Sequence, residues 1–316
     1  MKQSIFILLL CYASSTLESQ ITVSSNPSAS QIINQLEGNG IQISNLNIDC
    51  DTTAFGLFQS TSELPMSNGI VLSTGHASEI SGLSTFNADN CLNHPNTGGW
   101  TELTNFNPTA TYDYCRISFN LSSVGDSLSF GYVFGSEEYP EIRKNDIGSV
   151  FITGPNPSGG QYDTLDLAWV GGAGFPTSVM NCNVFVWQPY YLPNDSGQYF
   201  SYDASTIYIH HSLAVYPNQT YYLSISIADD GDCNFDSGLF IDGFASDSIT
   251  GIAEIDHSTR IPMLYELFDL SGRIVWTGTP TAYQESLHLF QSGVYLLSKS
   301  DSSGIISVSK FGILNN

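Results

Sequence analysis

The chain has 316 residues, 41% hydrophobic and only 12% charged, with 28 Gly, 17 Tyr and 18 Phe. That is enough apolar content for one large core and a smaller second domain, written in the vocabulary of strands and turns. The net charge of −22 is concentrated in residues 21–250, which hold 23 acidic and 3 basic side chains, and such a body repels nucleic-acid phosphates and anionic membranes while attracting cations.

Taken in order, Lys2, the apolar run from Ile5 to Ala13, and the small residues Ala13, Ser14 and Ser15 have the pattern of a signal peptide over residues 1–19. No later apolar run approaches the roughly 20 residues of a membrane span. Export implies an oxidising setting for Cys50, Cys91, Cys115, Cys182 and Cys233, an odd number that allows two disulfides and one free thiol in a pairing the sequence does not fix. No CxxC spacing occurs, which argues against a zinc or redox site.

One helix is predicted, over residues 26–39. Ala29, Ile32, Ile33 and Leu36 fall on one stripe, Ser28 and Gln31 have capping-box spacing, and Gly38 is placed to end the helix. Strands are predicted at 41–48, 69–73, 112–121, 127–134, 147–153, 178–187, 206–213, 221–228 and 237–244, with residues 84–108 a long polar surface loop. Short turn-bounded strands without helices between them predict an all-β fold: a jelly-roll-like β-sandwich over residues 20–248. Residues 251–316, with 4 basic and 6 acidic side chains, differ in composition and read as a separate small domain from residue 249 onward.

Two stretches carry concentrated charge. IADDGDCNFDSG places Asp229, Asp230, Asp232 and Asp236 within eight residues, and FGSEEYPEIRKND places Glu137, Glu138, Glu141, Asn145 and Asp146 around a Tyr-Pro turn. Close carboxylates repel by about 1 kcal/mol or more even in water-like dielectric. A divalent cation, loop amides or solvation must offset this. Hard cations collect oxygens from more than one loop. The expectation is therefore that the two loops meet at one edge of the sandwich and share calcium through Glu137, Glu138, Asn145, Asp146, Asp229, Asp230, Asp232 and Asp236. The spacing is not that of an EF-hand, since Phe235 stands where its Gly is needed and Ile241 where its final Glu is needed.

Catalytic signatures are missing: there is no GxSxG, HExxH or phosphate-binding Gly-rich loop, and the adjacent His210 and His211 face opposite sides of a strand. The pairs Glu137/Glu138 and Asp229/Asp230 are candidates for acid and base in a glycan hydrolase. Trp187, Tyr190 and Tyr191 are candidates for an aromatic platform that binds sugar rings.

Several pieces, in order, resemble the choice-of-anchor L domain family: LEGNGIQISNLNI after the helix, SNGIVLSTG, FGSEEYPE, NDIGSVFITGP, FPTSVMNCNV and IADDGDCNFDSGLFIDG, together spanning residues 28–246. The resemblance implies an extracellular β-rich module with no defined activity. The tail resembles the type A C-terminal sorting domain of the type IX secretion system of Bacteroidota, through LFDLSGRIV (with Asp269, Gly272 and Arg273), SGVYLL (with Gly293 and Tyr295) and Lys310-Phe311. That implies an Ig-like small sandwich read by the type IX secretion machinery. The expectation is a non-enzymatic module, secreted or on the outer cell surface, adhesive or ligand-binding. Its partner is an unknown surface glycan or protein, and the alternatives are a carbohydrate-binding module or a glycan hydrolase.

Overall fold

The structure, a computed structural model, describes residues 21–61, 66–81, 92, 101–170, 176–194, 200–231, 233–246, 264–268, 274–278, 293–301 and 304–313. The chain divides into two compact units, residues 1–250 and 251–316.

The first unit runs β1 (Ile21–Ser25), α1 (Ala29–Leu36), β2 (Ile41–Asp49), β3 (Phe55–Ser60), β4 (Asn68–Ser73), α2 (Thr101–Phe106), β5 (Ala110–Ser123), β6 (Ser127–Ser136) and β7 (Ile147–Pro155). It continues with β8 (Gln161–Asp166), β9 (Thr177–Ser178), β10 (Tyr191–Pro193), β11 (Ala204–Thr206), β12 (Ile209–Ala214), β13 (Thr220–Asp230) and β14 (Ser237–Ala245). Two antiparallel sheets form a β-sandwich. The first is ordered β1-β3-β4-β14-β6-β11-β10, with β12 also on β6, and the second β2-β5-β13-β7-β8, with β9 on β7.

Period-two alternation builds the main core. Tyr221, Leu223, Ile225 and Ile227 of β13 lie in the same buried cluster as Phe130, Tyr132 and Phe134 of β6 and Leu239 and Ile241 of β14. The outer faces carry apolar residues as well. Val71, Val133 and Phe240 join Phe58, Phe200 and Tyr202 beneath the 3-10 turn Ala77–Ser81, while Leu103 of α2 packs with Tyr114, Phe151 and Ala228 on the second sheet. Strands covered on both faces read as near-continuous apolar runs. Across the sandwich, Phe244 packs on Phe119 of the second sheet at 5.7 Å between ring centroids, and within its own sheet on its register partner Phe130 at 5.3 Å.

Helix α1 closes one end of this core with Ile32 and Leu36, and Ser28 and Gln31 form the expected capping box. Its C-terminus departs from expectation. The helix stops at Glu37 in an extended conformation, and Gly38 serves close approach: a Cβ there would lie 2.4 Å from the Phe244 carbonyl oxygen, to which the Gly38 N–H donates at 2.8 Å.

Three expectations are corrected. The strand expected over 178–187 is a strand only at β9; beyond it the Asn183 side chain satisfies the backbone locally and the chain coils. The loop expected over 84–108 contains α2, whose Glu102 carboxylate stands 3.6 Å from the guanidinium of buried Arg116. Strands β1, β3, β8 and β10, each of six residues or fewer, lie outside the expected set, and the strand expected over 206–213 is divided into β11 and β12.

In the second unit, β15 (Leu264–Phe268), β16 (Ile274–Gly278), β17 (Gly293–Asp301) and β18 (Gly304–Ile313) form a four-stranded antiparallel sheet in the order β16-β15-β17-β18. The described residues of the tail motifs lie on adjoining strands, with Leu267 opposite Leu297 and Tyr295 opposite Phe311.

Cys50, just past the end of β2, is disulfide-bonded to Cys115 on β5, closing a 65-residue loop. Cys182 is a buried free thiol and Cys233 is disulfide-bonded, while Cys91 lies outside the described residues. Loop-closure entropy for that length is worth about 4 kcal/mol. The double substitution Cys50→Ser with Cys115→Ser should lower the unfolding free energy by that order, measured by urea denaturation. A loss under about 1 kcal/mol would show that packing alone closes this loop.

Candidate functional site

The two acidic stretches are the connections that cross between sheets. Residues 137–146 lead from β6 to β7, and residues 231–236 lead back from β13 to β14. They lie side by side because the strands they join are paired at those ends, Ser136 with Ser237 and Ile147 with Ala228. The structure thus brings the stretches together. The Glu137 N–H donates to the Asp236 carbonyl at 2.9 Å, the Asp230 N–H to Asp146 Oδ1 at 3.1 Å, and the Asn145 N–H to Asp230 Oδ2 at 3.1 Å. The Ser237 hydroxyl donates to Asp146 Oδ2 at 2.7 Å and the Lys144 N–H to Glu138 Oε2 at 3.1 Å.

Burial dominates the electrostatics. Glu138, Asp146, Asp229 and Asp236 are all buried. Burial pushes Asp146 up to about 7, with the Glu138 charge adding to the rise and the Ser237 hydroxyl and Asp230 amide opposing it. Asp229 is raised well above the carboxylate range by burial and by the charges of Asp146, Asp236 and Asp113. Neither of its oxygens receives a hydrogen bond of normal geometry among the described residues, and the nearby Thr74 hydroxyl offsets only part of the penalty. Glu137 is pushed up to about 8 by burial and by the charges of Asp236 and Asp203. Room for the Asp236 carboxylate comes from Gly75, where a Cβ would stand 1.7 Å from Asp236 Oδ2.

The three ways of offsetting the repulsion now separate by residue. Loop amides and a hydroxyl serve Asp146, Asp230 and Glu138. Asp229 lies against the Asp146 carboxyl and the Thr74 hydroxyl, and burial favours its protonated form. No group of three or more His, Cys, Asp or Glu side chains among the described residues is arranged to hold a metal ion. Asp232 lies outside the described residues. Sequence reasoning missed Asp113, which is buried on β5 and accepts from the Leu92 N–H at 3.0 Å; its signal was a carboxylate interrupting an apolar strand.

A second feature stands on this base. The Val179 N–H donates to the Asp146 carbonyl at 3.1 Å and the Met180 N–H to Asn145 Oδ1 at 2.9 Å. The buried side chain of Asn183 then donates to the Val179 and Met180 carbonyls and accepts from the Phe185 and Val186 N–H groups. This staple holds Val184, Phe185, Val186 and Trp187 outward, with Phe185 84% exposed. The Trp187 and Tyr190 rings stand at 86° to one another, and Tyr191 packs edge-on against buried Tyr139, so the three candidate platform aromatics do not share a plane. In the tail, Asp269, Gly272 and Arg273 lie outside the described residues, while Gly293 and Tyr295 are on β17.

The family model for the Choice-of-anchor L domain matches residues 20–246, and the chain belongs to that family. No curated protein matches it. No described helix is long and apolar enough to cross a membrane.

The raised carboxyls fix a direction for pH. Each binds its proton more tightly in the folded chain than in the unfolded one, so stability is greatest below the unfolded values near 4 and is lost as pH rises through the folded values of about 7 to 8. In chelator, the melting temperature should be several degrees higher near pH 5 than near pH 8, at roughly 2–4 °C per kcal/mol for a body of this size. A flat profile, or one that rises with pH over that interval, would contradict the burial assigned to these groups.

Proposed function

We propose that this member of the choice-of-anchor L family is a secreted or outer-surface, non-enzymatic module that adheres to a protein partner through the apolar loop at residues 184–187. The observation that supports it most is the exposed Phe185 ring on a loop fixed by Asn183. An apolar ring held in water contributes nothing to the core, and contiguous exposed apolar surface marks contact sites. The surface widens beside the loop, where Tyr190 neighbours Trp187 and its carbonyl accepts from the N–H of exposed Ile207 at 2.7 Å. The acidic body disfavours anionic membranes and polyanions, and a protein surface with an apolar pocket fits the exposed rings of this loop.

Calcium is the ion we propose for the acidic crossover, with Asp229 as the leading donor and Asp236 and Glu137 of the same loops as further donors. Bound calcium would supply the positive charge that the buried carboxylates lack. Because residues 145 and 146 hold the base of the apolar loop, order at the crossover passes directly to the contact surface. Residues 1–19 are proposed as an export signal, and residues 249–316 as a type IX sorting domain that delivers the module to the cell exterior. The sheet placement of β15, β17 and β18 is compatible with that role.

Beads coated with the chain should be retained on immobilised extracellular-matrix proteins or intact cells, and Phe185→Ser should cut retention roughly tenfold, the value of about 1.4 kcal/mol of lost apolar burial. Retention unaffected by the substitution would overturn the assignment of the loop. For the ion, titration calorimetry with calcium should give a saturable heat, and calcium should raise the melting temperature near pH 8 while flattening its pH dependence. No heat and an unshifted melt would leave protons as the neutralising partner and sink the calcium reading.

A further inference from the structure

A groove of about 360 Å3 lies where α1, the approach to β4, β6, β12 and β14 come together, away from both the acidic crossover and the apolar loop. Its volume is within the range of small-ligand sites. One side is set by a β-bulge. Between the pairs Ile241–Tyr132 and Phe244–Phe130, β14 carries one residue more than β6, and the bulge brings Asp242 into the groove wall.

Asp242 is held at both oxygens: Oδ1 accepts from the Gly131 N–H at 2.9 Å and Oδ2 from the Tyr208 hydroxyl at 2.8 Å. Tyr208 occupies the space a side chain at position 131 would take, since a Cβ there would stand 2.1 Å from its hydroxyl oxygen. His210 lies opposite Gly131 in the β12 ladder and is exposed. The facing wall is an amide pair, with Gln35 Nε2 donating to Asn68 Oδ1 at 2.7 Å.

We infer that this groove is a binding site for a neutral saccharide. The wall offers a fixed carboxylate whose oxygens each retain an accepting lone pair, two side-chain amides with donors and acceptors to spare, an imidazole and a phenol ring. Vicinal hydroxyls of a sugar meet such alternating donors and acceptors, and its C–H faces suit an aromatic wall. An anion finds no Lys or Arg among the lining residues, and a cation finds a single carboxylate already hydrogen-bonded twice. This site is separate from the Trp187–Tyr191 region and does not depend on the adhesive reading of the loop.

The test is a glycan array probed with the full chain, followed by calorimetry with the strongest-binding free oligosaccharide. Binding is expected, and Gln35→Ala should weaken it roughly tenfold or more. The Gln35–Asn68 hydrogen bond is solvent-exposed, so the variant should melt close to the parent. Asp242→Asn should also weaken binding, and Leu165→Ser, at an exposed position of β8, should leave it unchanged. Should Asp242→Asn fail to fold, Asn68→Ala on the facing wall takes its place, with the same expected loss. No glycan bound by the parent chain, or binding that folded Gln35→Ala retains in full, would overturn the assignment.

Discussion

The first unit depends on the need to join the middle of one sheet to the middle of the other. Strand β13 lies between β5 and β7 in the second sheet, and β14 lies between β4 and β6 in the first. Packed sheets stand about 10 Å apart, and six residues must carry the chain across that gap. The β6–β7 connection makes the reverse crossing at the same edge. Two backbones leaving their ladders together create unpaired N–H groups in a place with little water. Short acidic side chains are suited to accept those hydrogens, which is what Asp146, Asp230 and Glu138 do. The carboxylates are thus first of all substitutes for a missing strand partner.

That solution has a residue that does not fit it. Asp229 is buried among like charges and receives no hydrogen bond of normal geometry among the described residues. A buried charge without a partner is expensive. A chain selected for stability alone would be served by Asn or Ser at this position. Burial among the charges of Asp146, Asp236 and Asp113 sets this carboxyl apart from Asp146 and Asp230, which accept loop amides. The same crossover, through Asn145 and Asp146, accepts from the Val179 and Met180 N–H groups at the base of the apolar loop.

Much of this was legible in the sequence because the central strands are long and strongly patterned. The alternation of β13, β6 and β14, and the Ser28–Gln31 capping box of α1, depend on local spacing that tertiary packing did not override. The meeting of the two acidic stretches was legible as a charge argument, but which carboxylates were hydrogen-bonded and which was bare required the register of four strand ends. The Asn183 staple was not legible. Its sequence, VMNCNVFVW, has the apolar content of a strand, and only the side-chain hydrogen bonds turn it into a displayed loop. The groove was also hidden, since Asp242, Tyr208 and Gln35 come from three separate elements and meet only because a bulge re-aims one of them.

The outer strand β10 has only three residues and ends in Pro193. Proline has no N–H to offer a neighbouring chain, and so short a ladder gives an incoming strand little to hold. That margin of the first sheet is therefore blunt. A second copy of the molecule finds no template at that margin for joining its sheet to this one.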